Sequence, residues 1–430
     1  MSEPGPSGHC LRIGIPWPLP TLLSVRVLLI GAGGREHSLA TAIAADPAVE
    51  TLICAPGNPG MAALSELRDV AMADPGSVAA LAVDVAADLV VIGPEAPLVA
   101  GVADAVRAKG IACFGPSSAA ARIEGSKDFA KDVMFAAGVP TARSVTCRTL
   151  DEVGAALDEF GAPFVVKDDG LAAGKGVVVT SDRNAALAHA AACDTVVVEE
   201  YLDGPEVSLF VVTDGHACVP LLPAQDFKRV GDGDTGPNTG GMGAYTPLPW
   251  ADPGLVDDVM TTIARPTLAE LAARGSAFGG VLYCGLALTA EGPKVIEFNC
   301  RFGDPEIQAV LALLETPLAG LLSAAARGRL ADHPPLRWRE GAAVNVVIAS
   351  RGYPENPVTG LPITGADADG VLHAGTTLAA DGSLHSAGGR VLNCVATGPD
   401  LAAARAAAYA LVDRISLPGS HHRNDIASNV

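Results

Sequence analysis

The sequence predicts a multidomain protein of mixed α/β and α+β class, with three consecutive domains. The chain has 430 residues, about the length of three average domains. Its first part alternates short apolar strands with helices, an order typical of a parallel sheet. The segments after residue 126 are richer in strands, and Pro334-Pro335 precedes a third group of strands that ends in a helix. We therefore expect domains at 25–125, 126–330 and 331–430.

The first 24 residues differ from the rest of the chain. They are rich in Pro and Gly, and their apolar piece is interrupted by Pro16, Pro18 and Pro20. A signal peptide would have a basic start and an unbroken apolar core. We interpret 1–24 as a disordered extension; a translation start at Val25 is the alternative.

In the first domain, strands are expected where short apolar runs end in Gly or Pro, and helices where a longer run follows. The expected strands are 25–30, 51–55, 89–92 and 111–114, and the expected helices are 35–45 and 78–86, the second with Ser77 as N-cap.

The second and third domains are read by the same signals. In the second, Ser126 is the expected N-cap of helix 127–137, strands follow at 164–167, 177–180, 196–200 and 207–213, a Gly-rich loop at 231–243, a helix at 255–273, strands at 280–289 and 294–298, and a helix at 306–315. In the third, the expected strands are 342–350, 370–378 and 390–396, followed by helix 401–415.

Composition limits the classes of partner. Hydrophobic residues make up 49% and charged residues 18%, so large cores are expected rather than disorder. The net charge of −19 argues against a nucleic-acid-binding surface, although basic residues could still line one cleft for a small anion. No apolar stretch has the length of a membrane span, so we expect neither a nucleic-acid nor a membrane partner.

The nine Cys residues are scattered, with no C-x-x-C pair. This pattern favours reduced thiols over disulfides or a zinc site. We therefore expect a cytoplasmic protein. We also expect a monomer, with a dimer as the alternative.

The turn Gly31-Ala32-Gly33-Gly34 follows the first strand and begins a helix. Such a turn presents backbone N–H groups to an anion. A dinucleotide fingerprint would need Gly in place of Glu36 and an acidic residue at the end of the second strand, and neither is present. The turn therefore suits a monophosphate better than a dinucleotide, the alternative being an ordinary strand–helix turn.

A second Gly-rich loop, 168–176, lies between two strands and is flanked by Lys167 and Lys175. It is not a Walker A loop, which joins a strand to a helix. Such a loop can fold over phosphates with both lysines as point charges; a flexible hairpin is the alternative. After the strand at 196–200, Glu206 is a candidate for ribose hydroxyls.

A third Gly-rich loop, 232–243, follows Asp226 and Lys228. So much Gly beside charged residues suggests backbone that approaches a ligand closely. A disordered surface loop is the alternative.

The strand at 295–298 carries the most specific pattern. Side chains two apart on a strand share a face, so Glu297 and Asn299 point one way while Ile296 and Phe298 point into a core. A carboxylate beside an amide oxygen suits Mg²⁺. Arg301 continues that face and can bind a carboxylate or phosphate. The alternative is a solvated polar face.

Five motifs together carry a resemblance. In the same order along the chain, the sequence resembles the phosphoribosylamine–glycine ligase family of the ATP-grasp superfamily, from Val25 to about Ala427. The motifs are Gly-Arg-Glu-His at 34–37, Gly-Pro-Glu-Ala-Pro-Leu at 93–98, Lys-Asp-Asp-Gly-Leu-Ala-Ala-Gly-Lys-Gly at 167–176, Gly-Pro-Asn-Thr-Gly-Gly-Met-Gly-Ala at 236–244 and Glu-Phe-Asn-Cys-Arg-Phe-Gly-Asp-Pro-Glu at 297–306.

The resemblance implies a fold and a reaction. The fold would be an N-terminal α/β domain, an ATP-grasp core with a mobile lid at about 145–215, and a small C-terminal α+β domain. The reaction would join glycine to 5-phosphoribosylamine with ATP, through an acyl phosphate, in de novo purine synthesis. Such chemistry needs no protein nucleophile, and the sequence shows no Ser–His–Asp or Cys–His pattern with supporting context.

The resemblance also implies residue roles. Glu297 and Asn299 would hold Mg²⁺ or Mn²⁺, and Lys175, Asp226, Lys228 and Arg301 would be catalytic. The cofactor-binding residues would be Lys127, Lys167 and Lys175 at the ATP phosphates and Glu199, Leu202 and Glu206 at adenine and ribose. The substrate-binding residues would be Gly33, Gly34, Asn58 and Glu95 for the phosphoribosyl group, with Asp226, Lys228 and Arg301 for glycine and the transferring phosphoryl group.

The chain departs from the family pattern at two places. Phe227 stands where the family often has His, and 285–288 lacks the acidic metal ligand of many ATP-grasp enzymes. Three rivals remain at this point: a carboxylating ATP-grasp ligase, a dinucleotide-dependent dehydrogenase, and a nucleotide-binding module without activity. The loop 236–243 favours the glycine enzyme over the first, and the missing fingerprint residues count against the second.

Overall fold

The N-terminal domain is built on a parallel sheet. The structure is a computed structural model that describes residues 24–171 and 176–428, so the interpretation of 1–24 as an extension lies almost wholly outside the described residues. The sheet has the order β3-β2-β1-β4-β5. Its strands are β1 Val25–Gly31, β2 Val49–Pro56, β3 Glu66–Leu67, β4 Leu89–Ile92 and β5 Ala112–Phe114, with helices α1 Gly34–Ala44, α2 Pro75–Asp84, α3 Glu95–Val99, α4 Val102–Arg107 and α5 Ser118–Gly125.

This strand order positions two loops of the site. The chain reverses its direction of winding between the neighbouring strands β1 and β4, and ligands of parallel sheets bind outside the carboxyl ends of the strands at such a point. The loops there lead into α1 and α3, and they carry Gly33 and Glu95.

Two helix starts show how far local signals reach. Helix α6 (Lys127–Ala137) begins at Ser126, whose hydroxyl accepts from the N–H of Phe129 at 3.1 Å, and it ends at Gly138, as expected. Ser77 is not the cap of α2. Asp74 takes that place, because its carboxylate accepts from the N–H groups of Gly76 and Ser77.

A small antiparallel sheet follows, with the order β6-β9-β7-β8 and a separate apolar core under two helices. Its elements are β6 Ser144–Cys147, α7 Leu150–Phe160, β7 Phe164–Asp168, β8 Val177–Thr180, α8 Arg183–Ala190 and β9 Val196–Glu199. The predicted lid extended to about 215, but the small sheet ends with β9. The next strand, Glu206–Asp214, belongs to another sheet, in which it pairs with residues 279–287.

The central sheet has the order β11-β10-β16-β17. This part of the chain contains β10 Glu206–Asp214, β11 Cys218–Pro220, β12 Gln225–Asp226, β13 Arg229–Gly231, β14 Thr235–Asn238, β15 Gly243–Thr246, α9 Leu255–Val259, α10 Arg265–Ala273, β16 Gly279–Thr289, β17 Gly292–Asn299, α11 Glu306–Leu313 and α12 Leu318–Ala326. The predicted helix 255–273 is interrupted by a π-helical turn, Met260–Ala264, and the predicted loop 231–243 contains strand β14, which pairs with β13.

Strand β17 contains a β-bulge. Gly285 pairs with Glu297, whereas the next residue, Leu286, pairs with Val295, so Ile296 is the extra residue. The expectation that Ile296 points into a core is therefore wrong: Val295 and Phe298 are buried, while Ile296 is half-buried and lines the central cavity.

The C-terminal sheet has the order β12-β15-β18-β22-β19, so two strands from the middle of the chain complete it. Its other elements are β18 Ala342–Ala349, β19 Val371–His373, β20 Thr376–Leu378, β21 Leu384–Ser386, β22 Arg390–Gly398 and α13 Leu401–Val412. Because β12 and β15 lie on either side of the loop 231–243, this sheet holds both ends of that loop.

No helix within the described residues is long and apolar enough to cross a membrane. The eight cysteines in the same part of the chain are free thiols.

Two buried histidines join the N-terminal and C-terminal domains. The rings of His37 and His373 lie 5.7 Å apart, and Nδ1 of His37 accepts from the backbone N–H of His373 at 2.8 Å. Burial and, to a smaller extent, the neighbouring His373 lower the pKa of His37 to about 4. Burial also lowers the pKa of His373. Both rings are therefore neutral in the folded protein at pH 7.

This pair predicts a loss of stability in mild acid. The unfolded chain protonates both imidazoles near pH 6.5, whereas the folded protein resists protonation until a lower pH. Stability is therefore full above pH 6.5 and falls below it, by up to about 1.4 kcal/mol per pH unit for each proton. Urea unfolding between pH 5 and 8 measures this slope. We expect His37→Gln to flatten it and the exposed control His216→Gln to leave it unchanged; an equal slope in all three proteins would contradict the role of the pair.

Candidate active site

One cavity of about 420 Å³ lies where the three domains and the small sheet meet. Its charged lining comes from every one of these units. The charged lining residues are Arg35, Glu36, Glu95, Glu124, Lys127, Lys131, Lys167, Glu199, Glu200, Glu206, Asp226, Lys228, Glu297, Arg301, Asp304, Glu306 and Arg390.

The two expected metal ligands lie together at the end of β17. Nδ2 of Asn299 is 3.3 Å from Oε1 of Glu297, and both side chains line the cavity. Among the described residues, Glu297 makes no ion pair, although it is only half exposed. A carboxylate without a contacting cation beside an amide fits a divalent cation.

This pair is small for a metal site. The strand residues 285–288 add no acidic ligand, as the sequence shows, and no group of three or more His, Cys, Asp or Glu residues with metal-site geometry occurs within 24–171 and 176–428. Phosphate oxygens and water would therefore complete the coordination.

Lysines surround one buried carboxylate on the wall formed by β7, β9 and α6. Nζ of Lys167 lies 2.9 Å from Glu199 and donates to the carbonyl of Ile296 at 2.8 Å. Lys131 reaches the other oxygen of Glu199 at 3.2 Å. Burial lowers the pKa of Lys131 to about 8, although Glu199 opposes the shift. The arrangement fixes the carboxylate of Glu199 at the cavity surface.

Lys127 lines the cavity next to the second Gly-rich loop, 168–176. Its Nζ donates to the carbonyl of Gly170 at 2.9 Å, so it borders the second Gly-rich loop. Burial lowers the pKa of Lys127, with Glu297 opposing. Lys175 lies outside the described residues, and Leu202 lines the cavity.

Lys228 joins two carboxylates. Its Nζ lies 2.7 Å from Glu206 and 2.7 Å from Asp226. Burial raises the pKa of Asp226 to about 6, although Lys228 opposes the shift. Asp226 and Glu206 raise the pKa of Lys228 although desolvation opposes them, so this lysine is charged.

Arg301 is held by acidic groups from two helices. It lies 3.3 Å from Glu95 and 3.1 Å from Glu124, and Nη2 donates to Oδ1 of Asn299 at 3.2 Å. Although burial alone would lower it, Glu124 and Glu95 raise the pKa of Arg301. Burial alone would raise the pKa of Glu95, but Arg301 and Arg35 outweigh it and lower the pKa.

The four residues expected at the phosphoribosyl group divide into two pairs. Gly33 and Glu95 line the cavity, whereas Gly34 and Asn58 do not. Asn58 donates instead to the carbonyls of Ala32 at 2.8 Å and His373 at 2.9 Å. A side chain at position 34 would collide with the amide of Asn393, so Gly34 permits contact with the C-terminal domain.

The helix N-terminus expected to bind an anion already carries carboxylates. The N–H of Gly33 donates to Glu36 at 2.7 Å, and the N–H of Arg35 donates to Asp304 at 3.3 Å. A monophosphate at this turn would therefore need basic side chains nearby.

Phe227 points away from the cavity lining. Its ring lies 6.1 Å from the ring of Tyr245, and the guanidinium of Arg423 lies 4.8 Å from its centre. The ring of Phe227 therefore makes a cation–π contact with Arg423 of the C-terminal tail. A phenyl ring makes this contact without titrating.

Several residues that line the cavity are not predicted from the sequence. Lys131 follows Lys127 by one helical turn, a spacing that could have identified it, because residues four apart share a helix face. Three further cavity residues meet only through the tertiary fold and have no local signal: Glu124, Tyr283 and Arg390. Glu306 is the last residue of the motif 297–306, but the motif alone gives it no role.

Comparison with known proteins agrees with this geometry. Family models match in three consecutive parts: phosphoribosylglycinamide synthetase N domain at 25–124, ATP-grasp (A) domain at 125–307 and C domain at 343–429. A phosphoribosylamine–glycine ligase of Streptomyces coelicolor is 63% identical over 412 residues, covering 94% of this chain and 99% of the relative. Its counterpart in Mycobacterium tuberculosis strain H37Rv is 60% identical over 411 residues, covering 94% and 97%.

A solved structure supports the same assignment. The crystal structure of phosphoribosylamine–glycine ligase from Thermotoga maritima is 32% identical, with a TM-score of 0.83, and the match covers 94% of this chain and 100% of that chain. The resemblance read from the five motifs is thereby confirmed. The chain belongs to the phosphoribosylamine–glycine ligase family, within the ATP-grasp superfamily.

Proposed function

We propose that the chain ligates glycine to 5-phosphoribosylamine with ATP, giving glycinamide ribonucleotide, ADP and phosphate. The observation that carries the proposal is one shared cavity, in which the pair Glu297 and Asn299, a lysine-rich wall and the loops of a parallel sheet face each other. Three reactants have to meet in one water-poor space for this reaction, and the cavity offers a distinct wall to each. Membership of the family supports the same reaction.

ATP is assigned to the wall of α6, β7 and β9. Lys127 and Lys167 would neutralise its phosphates together with Lys175 of the loop. Adenine and ribose are assigned to Glu199, Leu202 and Glu206. The fixed carboxylate of Glu199 supports this assignment, since it can accept from an exocyclic amine.

Glu297 and Asn299 would hold Mg²⁺ or Mn²⁺. When bound, the cation would neutralise charge on the transferring phosphoryl group. The oxygen ligands favour a hard cation of either kind and do not choose between the two.

The first step would activate glycine. A carboxylate oxygen of glycine forms a bond to the γ-phosphorus, and the bond from that phosphorus to the bridging oxygen of ADP breaks. Lys228 and Arg301 stabilise the negative charge of the transferring phosphoryl group, and Asp226 fixes Lys228. The small sheet β6-β9-β7-β8 is assigned the role of excluding water, which would otherwise hydrolyse the glycyl phosphate.

The second step would form the amide. The amine of phosphoribosylamine attacks the carbonyl carbon of glycyl phosphate, the carbon–oxygen bond to phosphate breaks, and the amine loses a proton. Gly33 and Glu95 are proposed to position the sugar, since both line the cavity at the carboxyl end of the parallel sheet. Gly34 and Asn58 are proposed to act indirectly, through the turn and the domain contact that they maintain.

We further propose that the enzyme is a cytoplasmic monomer. Its free cysteines support a reducing compartment.

The direct test of the proposed function is ADP release with freshly generated phosphoribosylamine. We expect release to require glycine, phosphoribosylamine and a divalent cation together, as measured by a coupled ADP assay. Omitting each reactant in turn tests the requirement for each one separately. Absence of glycine-dependent release with all reactants present would overturn the proposal.

The proposed metal pair predicts a large effect on turnover. Glu297→Gln keeps the side-chain shape but removes the charge, so kcat should fall by roughly 10²-fold or more, while the thermal unfolding midpoint stays near that of the parent. Glu291→Gln, an exposed residue before the same strand, is the matched control. Near-normal kcat in Glu297→Gln at saturating Mg²⁺ would refute this role.

A further inference from the structure

Glu306 is a buried carboxylate for which the proposed roles give no use. It is the first residue of α11 and is 4% exposed. Its Oε1 accepts from the hydroxyl of Tyr283 at 2.9 Å and from that of Ser208 at 3.1 Å, and the two hydroxyls lie 2.8 Å apart. One oxygen is therefore fixed by β10 and β16.

The second oxygen of Glu306 has no partner among the described residues. Oε2 lies beside Gly303, where an added Cβ would be only 2.5 Å away. No lysine, arginine or histidine of that part of the chain forms an ion pair with Glu306, and the side chain lines the cavity. The carboxylate of Glu306 thus lines the ligand space without a contacting cation.

The neighbouring charges do not compensate Glu306. Asp226 is buried close by, and its pKa is raised partly by Glu306. The shared cation is Lys228, which already contacts Asp226 and Glu206. Burying a carboxylate without a contacting cation is costly even where hydroxyl groups donate to it, so a cationic ligand group at this place would stabilise the site.

We propose that Glu306 binds the ammonium group of the amino-acid substrate and thereby selects glycine over carboxylic acids that lack an amine. The inference rests on the proposed function, because glycine is the reactant of that function that carries an ammonium group.

The position of Tyr283 supports this orientation of glycine. One edge of its ring and the side chain of Glu297 both lie beside Gly285, where a Cβ would be 3.2 Å from Cε1 of Tyr283 and 3.3 Å from Cγ of Glu297. The hydroxyl end of the same ring reaches Glu306. A glycine lying along this ring would present its carboxylate to the metal pair and its ammonium to Glu306.

This contact would serve the chemistry in two ways. It holds the carboxylate of glycine towards the γ-phosphate, which turns an encounter into a positioned reaction. A carboxylate beside the amine also favours its charged form, so the amine of glycine does not compete with the amine of phosphoribosylamine.

Glycolate is the probe, because it replaces the ammonium of glycine by a hydroxyl. The measured quantity is the ratio of kcat/KM for glycine to kcat/KM for glycolate, from ADP release with phosphoribosylamine. The parent protein should favour glycine by at least about 100-fold. In Glu306→Gln, which keeps an acceptor for both hydroxyls, the ratio should fall at least about tenfold through the KM for glycine, with the KM for ATP within about twofold. Glu306→Asp, which keeps the charge, should recover part of the ratio.

Glu315→Gln, an exposed acid just after the same helix, is the matched control and should leave the ratio unchanged. An unchanged ratio in Glu306→Gln would overturn the inference, because a purely structural role would lower both kcat/KM values together. Should that variant not fold, the parent protein decides alone: equal use of glycine and glycolate would overturn the inference. Loss of all glycine-dependent ADP release in the parent protein would instead refute the proposed function.

Discussion

Charge balance inside a shared cavity is the constraint on which the rest of the structure depends. Three sheets and a small lid sheet enclose a space lined by more carboxylates than bases, and each buried charge needs a partner. Lys167 and Lys131 neutralise Glu199, and Arg301 is held by Glu95 and Glu124. Among the described residues that line the cavity, the carboxylates of Glu297 and Glu306 make no ion pair, and the proposed cation and ammonium contacts are assigned to them for that reason.

The domain arrangement follows from the same constraint. A site that neutralises charge with residues from separate domains works only if these domains are held together. Strands β12 and β15 join the C-terminal sheet and bracket the Gly-rich loop, while His37 and His373 join the first domain to the last. The glycines at 34 and 303 keep side chains out of two close approaches.

The sequence was sufficient where the signal is local. Strand β4 and helix α6 were predicted to the residue, the second because Ser126 and Gly138 cap it. Strand alternation correctly predicted that Glu297 and Asn299 share a face. It failed for Ile296, because the β-bulge at this residue depends on the register of the partner strand. Glu124 carries no local signal. Glu306 ends the motif 297–306, but its contacts with Tyr283 and Ser208 could not be predicted because these partners lie far away in the chain.

The acyl-phosphate route transfers one oxygen atom from glycine to phosphate. Glycine labelled with ¹⁸O in both carboxylate positions would be turned over with ATP and phosphoribosylamine, and the phosphate produced would be analysed by mass spectrometry. The acyl-phosphate route predicts one ¹⁸O atom in each phosphate released, because the carboxylate oxygen that attacks the γ-phosphorus leaves with it. Phosphate without ¹⁸O would contradict that route.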